Sequence, residues 1–355
     1  MILLKDIIEH MKCLTEMHGA PGHEYLIRDY LKAHMAPLAD EVIQDNLGGI
    51  FFVKKSNNPN AKKVLIAAHM DEVGFMVTQI LDNGLLKFID IGGWSTDVLL
   101  SQHMKVLTKN KDELSGIISS VPKHFQTGDS KLPKITEMLL DVGATSKEEV
   151  VSMGIRIGDP IVPNVSFKQL TKDRYLCKAW DNRYGCTIII DILQSLKDVS
   201  LPFDLYIGAN VQEEVGLRGA KVSSHIIKPD IAFVVDCSPA NDLIGDKSGE
   251  LGKGTLLRFY DRAMLLQPAF KDYMLELFDQ HEVKYQYYVS PGATDAAEIQ
   301  VANDGIPSAV IGVPARYIHS SHSIFDIKDY IAAKSGFMHL LKDLTPEKIQ
   351  YLKEN

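Results

Sequence analysis

The sequence lacks any apolar stretch near the roughly 20 residues that a membrane-spanning helix needs. It also lacks a dense run of lysine and arginine, and its formal net charge is -8, so neither nucleic acid nor membrane is expected as a partner. Four cysteines in 355 residues, without a CxxC pair, fit a reducing compartment better than a disulfide framework. The first residues have an amphipathic helix pattern and not that of a signal sequence, so we expect a cytoplasmic protein.

The length of the chain and the change in its hydrophobic pattern along the sequence predict two domains. From residue 74 to 164 the chain consists of short alternating segments divided by turn residues, which is typical of a small β-barrel or sandwich. The flanking residues, 1–73 and 165–355, have an α/β pattern with continuous apolar runs that predict buried strands. These runs are Lys63 to Ala68, Leu205 to Val211, Ile231 to Val235 and Ser308 to Val313.

Helical patterns surround these predicted strands. We expect an N-terminal helix and further helices at about Glu24 to Met35, Asn182 to Lys197 and Phe270 to His281. Inside the β-rich span, the segment ITEMLLDVGATSKEEVV predicts a helix, a glycine-containing break and a second short helix from about Ser146.

Acidic and imidazole side chains follow each of the four predicted strands. His69 follows the first, Glu213 and Glu214 the second, Asp236 the third and His319 the fourth. Ligands in α/β sheets bind beyond the carboxyl ends of strands, so these residues are expected to form one site from distant sequence. An isolated His-x-Asp is a weak signal, but the whole set suits a hydrolase that activates water with two metal ions.

Several segments resemble those of the M42 metallo-aminopeptidases: AAHMDEVGFMV, KAWDNRYGC, NVQEEVGLRGA, VVDCSPA, SPGATDAAEI and VPARYIHS. The resemblance covers nearly the whole chain, and the family also has an insertion between its His-x-Asp and its bridging aspartate. It implies an α/β/α zinc-peptidase sandwich of the phosphorylase/hydrolase-like type, with a PDZ-like β-rich barrel inserted at residues 74–164 as a dimerisation domain. The segments TLLRFYDRAMLLQP and RYIHSSHSIFDIKDY look most like the glutamyl aminopeptidase branch, which removes acidic residues from peptide amino termini.

The resemblance also assigns metal ligands. Asp181 would bridge two divalent ions, with His69 and Asp236 completing the ligands of one, and Glu214 and His319 those of the other. This nitrogen and oxygen set suits zinc, cobalt or manganese without choosing among them. His322 competes with His319, and the family pattern after Arg-Tyr-x selects His319.

Catalytic roles follow in the same way. Glu213 would be the general base, and it is expected to point away from Glu214 because consecutive side chains diverge on an extended segment. Asp71 would accept the second N–H of His69 and orient its ring, although a solvated loop acid is the alternative. Cys237 is expected to pack and not to bind metal.

An acidic specificity needs a cation in the substrate pocket. Arg258 is the candidate, because its guanidinium can bind a carboxylate with two hydrogen bonds; a surface arginine is the alternative reading, and Lys253 and Arg262 are weaker candidates. By resemblance, Thr294 and Asp295 would also line the site.

The resemblance implies a hollow tetrahedral homo-dodecamer, built from dimers, that admits short peptides with a free amino terminus. Other functions remain open: an M42 aminopeptidase of leucine, lysine or broad specificity, a metal-dependent deacylase, a glycan hydrolase or a non-catalytic scaffold. Glycan cleavage normally uses two carboxylates without metals, and a scaffold has no use for the unligated base Glu213.

Overall fold

The structure, a computed structural model, describes residues 3–125, 132–244 and 247–355. Its strands form one large sheet and one small closed barrel. The large sheet contains β1 (Glu41–Gln44), β2 (Ile50–Lys54), β3 (Lys63–His69), β10 (Lys168–Gln169), β11 (Arg174–Cys177), β12 (Asp204–Asn210), β13 (Ile231–Pro239), β14 (Thr255–Tyr260), β15 (Tyr285–Val289), β16 (Ser308–Arg316) and β17 (Ser323–Asp326). The barrel contains β4 (Gly74–Ile80), β5 (Leu86–Ile91), β6 (His103–Leu107), β7 (Glu113–Ile118), β8 (Leu139–Asp141) and β9 (Pro160–Pro163).

The centre of the large sheet is parallel. Its strands run in the order β1-β2-β12-β3-β13-β16-β17-β11-β10, and β14 pairs with β16 and β15. The four neighbours β12, β3, β13 and β16 pair in parallel, and they correspond to the four predicted apolar runs. Strands buried on both faces require such continuous apolar sequence, and their shared direction brings their carboxyl ends to one edge.

Helices cover both faces of the large sheet. They are α1 (Leu4–Glu16), α2 (Tyr25–Met35), α4 (Trp180–Ser195), α5 (Arg218–Ile227), α6 (Pro268–Gln280), α7 (Ala296–Gln300), α8 (Ile327–Asp343) and α9 (Pro346–Glu354), whereas α3 (Lys147–Ser152) belongs to the barrel, where its Val150 packs in the core. Helix α4 packs on β3, β12 and β13 beside α1 and α8, whereas α5 and α7 contact each other and cover β12, β13 and β16. The predicted α/β/α architecture is confirmed.

The barrel closes in the order β4-β5-β8-β7-β6-β9. It has a hydrophobic core of its own, which includes Phe75, Phe88, Val106 and Leu140. Its strands begin at Gly74 and end at Pro163, inside the span predicted to be β-rich. Residues 126–131 of that span lie outside the described part of the chain.

One predicted helix in the barrel is wrong. The segment ITEMLLD forms a single 3-10 turn at Ile135–Glu137 and then strand β8, which pairs with β5 and β7 and completes the barrel. Short apolar runs fit helix and strand patterns equally well, and pairing partners from elsewhere in the chain decide between them. The second predicted helix is present, since Ser146 caps α3 by accepting a hydrogen bond from the Glu149 amide.

The cysteines are free thiols, and Cys177, Cys186 and Cys237 are buried. Cys186 packs within α4. In the described ranges, no helix combines the length and apolar character required to cross a bilayer.

Candidate metal centre

The carboxyl edge of the parallel strands gathers the predicted ligands. His69 is the last residue of β3, and Asp236 lies in the second half of β13. Glu213 and Glu214 follow β12, and His319 follows β16. Asp181 joins them from the first turn of α4.

The first ligand group consists of His69, Asp181 and Asp236. His69 Nε2 lies 3.1 Å from Asp181 Oδ1 and 3.5 Å from Asp236 Oδ1. One donor atom from each residue fits within 4.8 Å of the others, close enough to share a metal ion.

The second ligand group consists of Asp181, Glu214 and His319. His319 Nε2 lies 3.5 Å from Asp181 Oδ2 and 3.4 Å from Glu214 Oε2. Asp181 thus presents one oxygen to each group, which is the geometry of a bridging carboxylate. His322 is exposed and belongs to neither group.

The start of α4 is shaped to present Asp181. Asp181 and Asn182 depart from helical backbone angles, and the residue before the helix, Ala179, is left-handed. The Asn182 side chain donates a hydrogen bond to the Val235 carbonyl at 2.7 Å, tying this irregular turn to β13. A Cβ on Gly185 would lie 2.3 Å from Asn182 Oδ1, so the arrangement requires glycine there.

A turn at residues 212–217, the glutamate turn, carries Glu213 and Glu214. Its backbone is not extended as predicted, because Gln212 has a left-handed φ of 56 and the Leu217 amide hydrogen-bonds back to the Glu213 carbonyl. The two side chains nevertheless have different neighbours. Glu214 joins the second ligand group, whereas Glu213 Oε2 lies 4.0 Å from His69 Nε2 and belongs to neither group.

Asp71 holds the glutamate turn. Its two carboxylate oxygens accept hydrogen bonds from the amides of Glu213 and Glu214, both at 3.0 Å. The predicted contact with the His69 ring is longer, at 3.6 Å from Nδ1, which exceeds a hydrogen bond. Glu24 also holds this turn, because its carboxylate accepts a hydrogen bond from the Gln212 amide at 3.1 Å. No sequence signal indicated this role for Glu24.

The centre is rich in buried carboxyl groups. Burial raises the pKa of Glu214 to about 8 and that of Glu213 well above its usual range. Burial lowers the pKa of His319, but the hydrogen bond to Asp181 and the charge of Glu214 outweigh it and raise this pKa to about 9. These groups therefore retain protons that bound cations would replace.

The residues present fit divalent metal ions. Imidazole nitrogens and carboxylate oxygens are suitable ligands for zinc, cobalt or manganese. Glu214 Oε1 is buried and has no hydrogen-bond partner within the described residues, so an oxygen is free to bind a cation.

An open cleft of about 500 Å³ borders both ligand groups. Its lining also includes Arg258, Arg262 and the loop from Ser290 to Ala293. Arg258 is only 2% exposed, and its guanidinium donates to Asp261 Oδ2 at 3.2 Å and to Ser238 Oγ at 2.8 Å. It is therefore neither a surface arginine nor a free cation.

Arg262 differs from Arg258 in its surroundings. It is exposed on the same cleft, and no hydrogen bond or ion pair holds its side chain within the described ranges. Lys253 is exposed but does not line the cleft. Arg262 is thus an exposed and unpaired cation on the cleft, within the described residues.

Thr294 and Asp295 are buried and are not among the residues that line this cleft. Each is 1% exposed, and Asp295 accepts a hydrogen bond from the Asn210 side chain at 2.9 Å. The exposed residues before them, 291–293, line the cleft together with the buried Ser290, and the assignment of Thr294 and Asp295 to the site stays a prediction. Cys237 borders the cleft but belongs to neither ligand group.

Sequence comparisons identify related peptidases. Residues 48–335 match the sequence model of the family described as M42 glutamyl aminopeptidase. The chain is 41% identical to the glutamyl aminopeptidase of Lactococcus lactis subsp. cremoris, over 98% of this chain and 99% of that protein. It is 34% identical to the lysyl aminopeptidase of Pyrococcus furiosus, over 95% and 97% of the two chains.

Structural comparisons agree. A TET aminopeptidase from a marine sediment archaeon of the Thaumarchaeota superposes with a TM-score of 0.94 at 36% identity, covering 98% of this chain and 99% of that one. The TET1 peptidase of Pyrococcus horikoshii, described as able to assemble into a tetrahedron or a large octahedral shell, has a TM-score of 0.87 at 27% identity, covering 95% and 100%.

Proposed function

The chain belongs to the M42 family of metal-dependent aminopeptidases, and from this premise we propose that it removes acidic amino-terminal residues from short peptides with two divalent metal ions. The observation that carries the proposal is the pair of ligand groups that share Asp181. A bridging carboxylate between two such groups is the arrangement used in two-metal hydrolysis, where two ions polarise a carbonyl and generate a nucleophile from water.

The residues around the groups have separate tasks. One ion would be held by the first ligand group, His69, Asp181 and Asp236. The other would be held by the second group, Asp181, Glu214 and His319. Glu213 faces the same space from outside both groups. Its carboxylate would accept a proton from the attacking water and deliver it to the departing amine.

The acidic preference is supported by the cleft. Arg262 is an exposed cation on the cleft that the ligand groups also line, where a carboxylate of the first side chain could meet it. Arg258 supports the same cleft, because its guanidinium also donates to the Gly292 carbonyl at 3.4 Å. The relative from Lactococcus lactis carries the glutamyl name, whereas that from Pyrococcus furiosus carries the lysyl name, so specificity needs a direct test.

The test is a panel of aminoacyl chromogenic substrates carrying Glu, Asp, Leu, Lys or Ala. Metal-stripped protein is assayed with and without added zinc, cobalt or manganese. We expect metal-restored cleavage dominated by Glu and Asp. Preference for Leu or Lys would keep the aminopeptidase and reject the acidic specificity, while no cleavage of any substrate would favour the deacylase or the scaffold.

We also propose a tetrahedral homo-dodecamer built from dimers, in which the inserted domain of residues 74–164 makes dimer contacts. The structural similarity to the TET1 peptidase of Pyrococcus horikoshii supports this proposal. A closed particle would restrict entry to short, unfolded peptides.

A further inference from the structure

The barrel contacts the second ligand group through two glycines, Gly92 and Gly93, which follow β5 and are named here the glycine turn. The Gly93 carbonyl oxygen accepts a hydrogen bond from His319 Nδ1 at 3.0 Å. A Cβ added to Gly92 would lie 3.4 Å from Glu214 Cβ. Both contacted residues belong to the second ligand group and not to the first.

The hydrogen bond that His319 donates determines which of its ring nitrogens is available to a metal ion. With Nδ1–H donated to the Gly93 carbonyl, Nε2 is the nitrogen left to bind a cation, and it faces Asp181 and Glu214. Metal-binding histidines commonly have such a partner, which orients the ring and raises its basicity. In contrast, His69 Nδ1 has no hydrogen-bond partner among the residues described.

The glycine turn has little freedom to move. Gly92 has a left-handed φ of +88, and a Cβ there would approach Val73 Cγ1 to 2.7 Å. A Cβ on Gly93 would lie 3.3 Å from His319 Nδ1. The next residue, Trp94, stacks on Phe75 of the barrel core with ring centroids 4.8 Å apart, which ties the turn to the barrel.

We propose that the glycine turn of the inserted barrel positions His319 and Glu214, so that the barrel sets the metal affinity of the second ligand group and not that of the first. This inference rests on the proposed two-metal function. It assigns the barrel a part in the metal centre itself, in addition to any role in assembly.

The test compares Gly92→Ala with Gly158→Ala. Gly158 has a nearly identical φ of +92, lies in the same domain and has nothing within 4 Å of an added Cβ. The two variants therefore share the backbone strain and differ in the contact with Val73 and Glu214. Gly93→Ala, which crowds His319 directly, is the second variant, and circular dichroism verifies that each is folded.

Metal-free protein is titrated with Co²⁺, with calorimetry for stoichiometry and tryptophan fluorescence as a second signal. The chain has two tryptophans, and both border a cavity with Asp181 and His319. Asp236→Asn and His319→Ala assign the binding steps to the first and second ligand groups.

We expect two binding steps in the unmodified protein. Gly92→Ala and Gly93→Ala should weaken the second step about 10- to 100-fold, the usual effect of losing a partner of a metal ligand, and change the first by less than about twofold. Gly158→Ala should leave both steps unchanged. Three results would overturn this inference but not the two-metal function: unchanged affinity at both steps in the Gly92 and Gly93 variants, equal weakening of the two steps, or the same loss in Gly158→Ala. A single binding step in the unmodified protein would overturn the two-metal function as well.

Discussion

Glu213 is the residue whose position most clearly separates catalysis from metal binding. It is buried beside the first ligand group yet belongs to neither group. We predict that Glu213→Gln lowers kcat by roughly 10²- to 10⁴-fold, the usual contribution of a general base, and leaves two ions bound. Glu214→Gln is the control, and it should lose one ion. Steady-state kinetics measure kcat, and metal analysis counts the bound ions. A wild-type kcat in Glu213→Gln would rule out the role of Glu213 as the base.

Arg262 should set the substrate preference. We predict that Arg262→Gln lowers kcat/KM for a glutamyl substrate by about 10- to 100-fold, because a charge-assisted contact to a carboxylate contributes about 1.5–3 kcal/mol. Hydrolysis of a leucyl substrate should change little. Lys253→Gln, on an exposed residue away from the cleft, is the matched control. Equal losses on both substrates would contradict the assignment.

Proton release should accompany metal binding. In the metal-free centre, the pKa of His319 is about 9 and that of Glu214 about 8, so both groups are protonated at pH 7 and must lose their protons to bind a cation. Affinity should therefore rise with pH up to about 9, beyond the range of an ordinary histidine. Calorimetry in buffers of different ionisation enthalpy measures the released protons, and affinity that levels off near pH 7 would disagree.

The clustering of the candidate ligands could be predicted from the sequence because each lies at or near the end of a strand or resembles a family segment. Contacts made by side chains from elsewhere could not. Arg258 is held by Asp261 and Ser238, and Asp71 by two amides of the glutamate turn. Such pairings depend on tertiary packing, so Arg262 emerges as the free cation only in the folded chain.

At the scale of elements, a buried charge network joins α1 to α4. Glu72 accepts hydrogen bonds from Lys178 at 2.6 Å and from Arg183 at 3.0 Å. Arg183 also donates to the Leu14 carbonyl in α1 at 2.7 Å. The network therefore fixes the helix that begins at Trp180 and presents Asp181.

Glu72→Gln should destabilise this junction. Removing one member of a buried ion pair leaves uncompensated charge and typically costs 3–5 kcal/mol. Glu41→Gln, which breaks an exposed pair with Lys55, should cost less than about 1 kcal/mol. Denaturant unfolding at fixed protein and metal concentrations measures both, and similar losses would refute a special role for the network.

Elements with long, continuous patterns were predictable, and short ones were not. The strands β3, β12, β13 and β16 follow from their buried apolar runs. Strand β8 was predicted as a helix, because its three residues acquire their conformation from pairing with β5 and β7. The glutamate turn likewise departs from extended backbone because Asp71 and Glu24 hold its amides.

At the scale of the whole molecule, the proposed dodecamer predicts a particle of about 470 kDa, twelve times the chain mass of 39.5 kDa. Sedimentation velocity in metal-replete buffer measures this. A single species at the monomer mass would contradict the proposal, whereas a dimer would retain the proposed contacts of the inserted domain and reject the closed shell.

The spread of the ligands along the chain also has a consequence for biosynthesis. His69 and His319 are separated by the barrel and most of the α/β domain. At translation rates of about 5–20 residues per second, His319 is made roughly 12–50 s after His69. The nascent chain therefore carries an incomplete centre for most of its synthesis, and metal loading becomes a late maturation step that depends on the supply of ions available to the finished polypeptide.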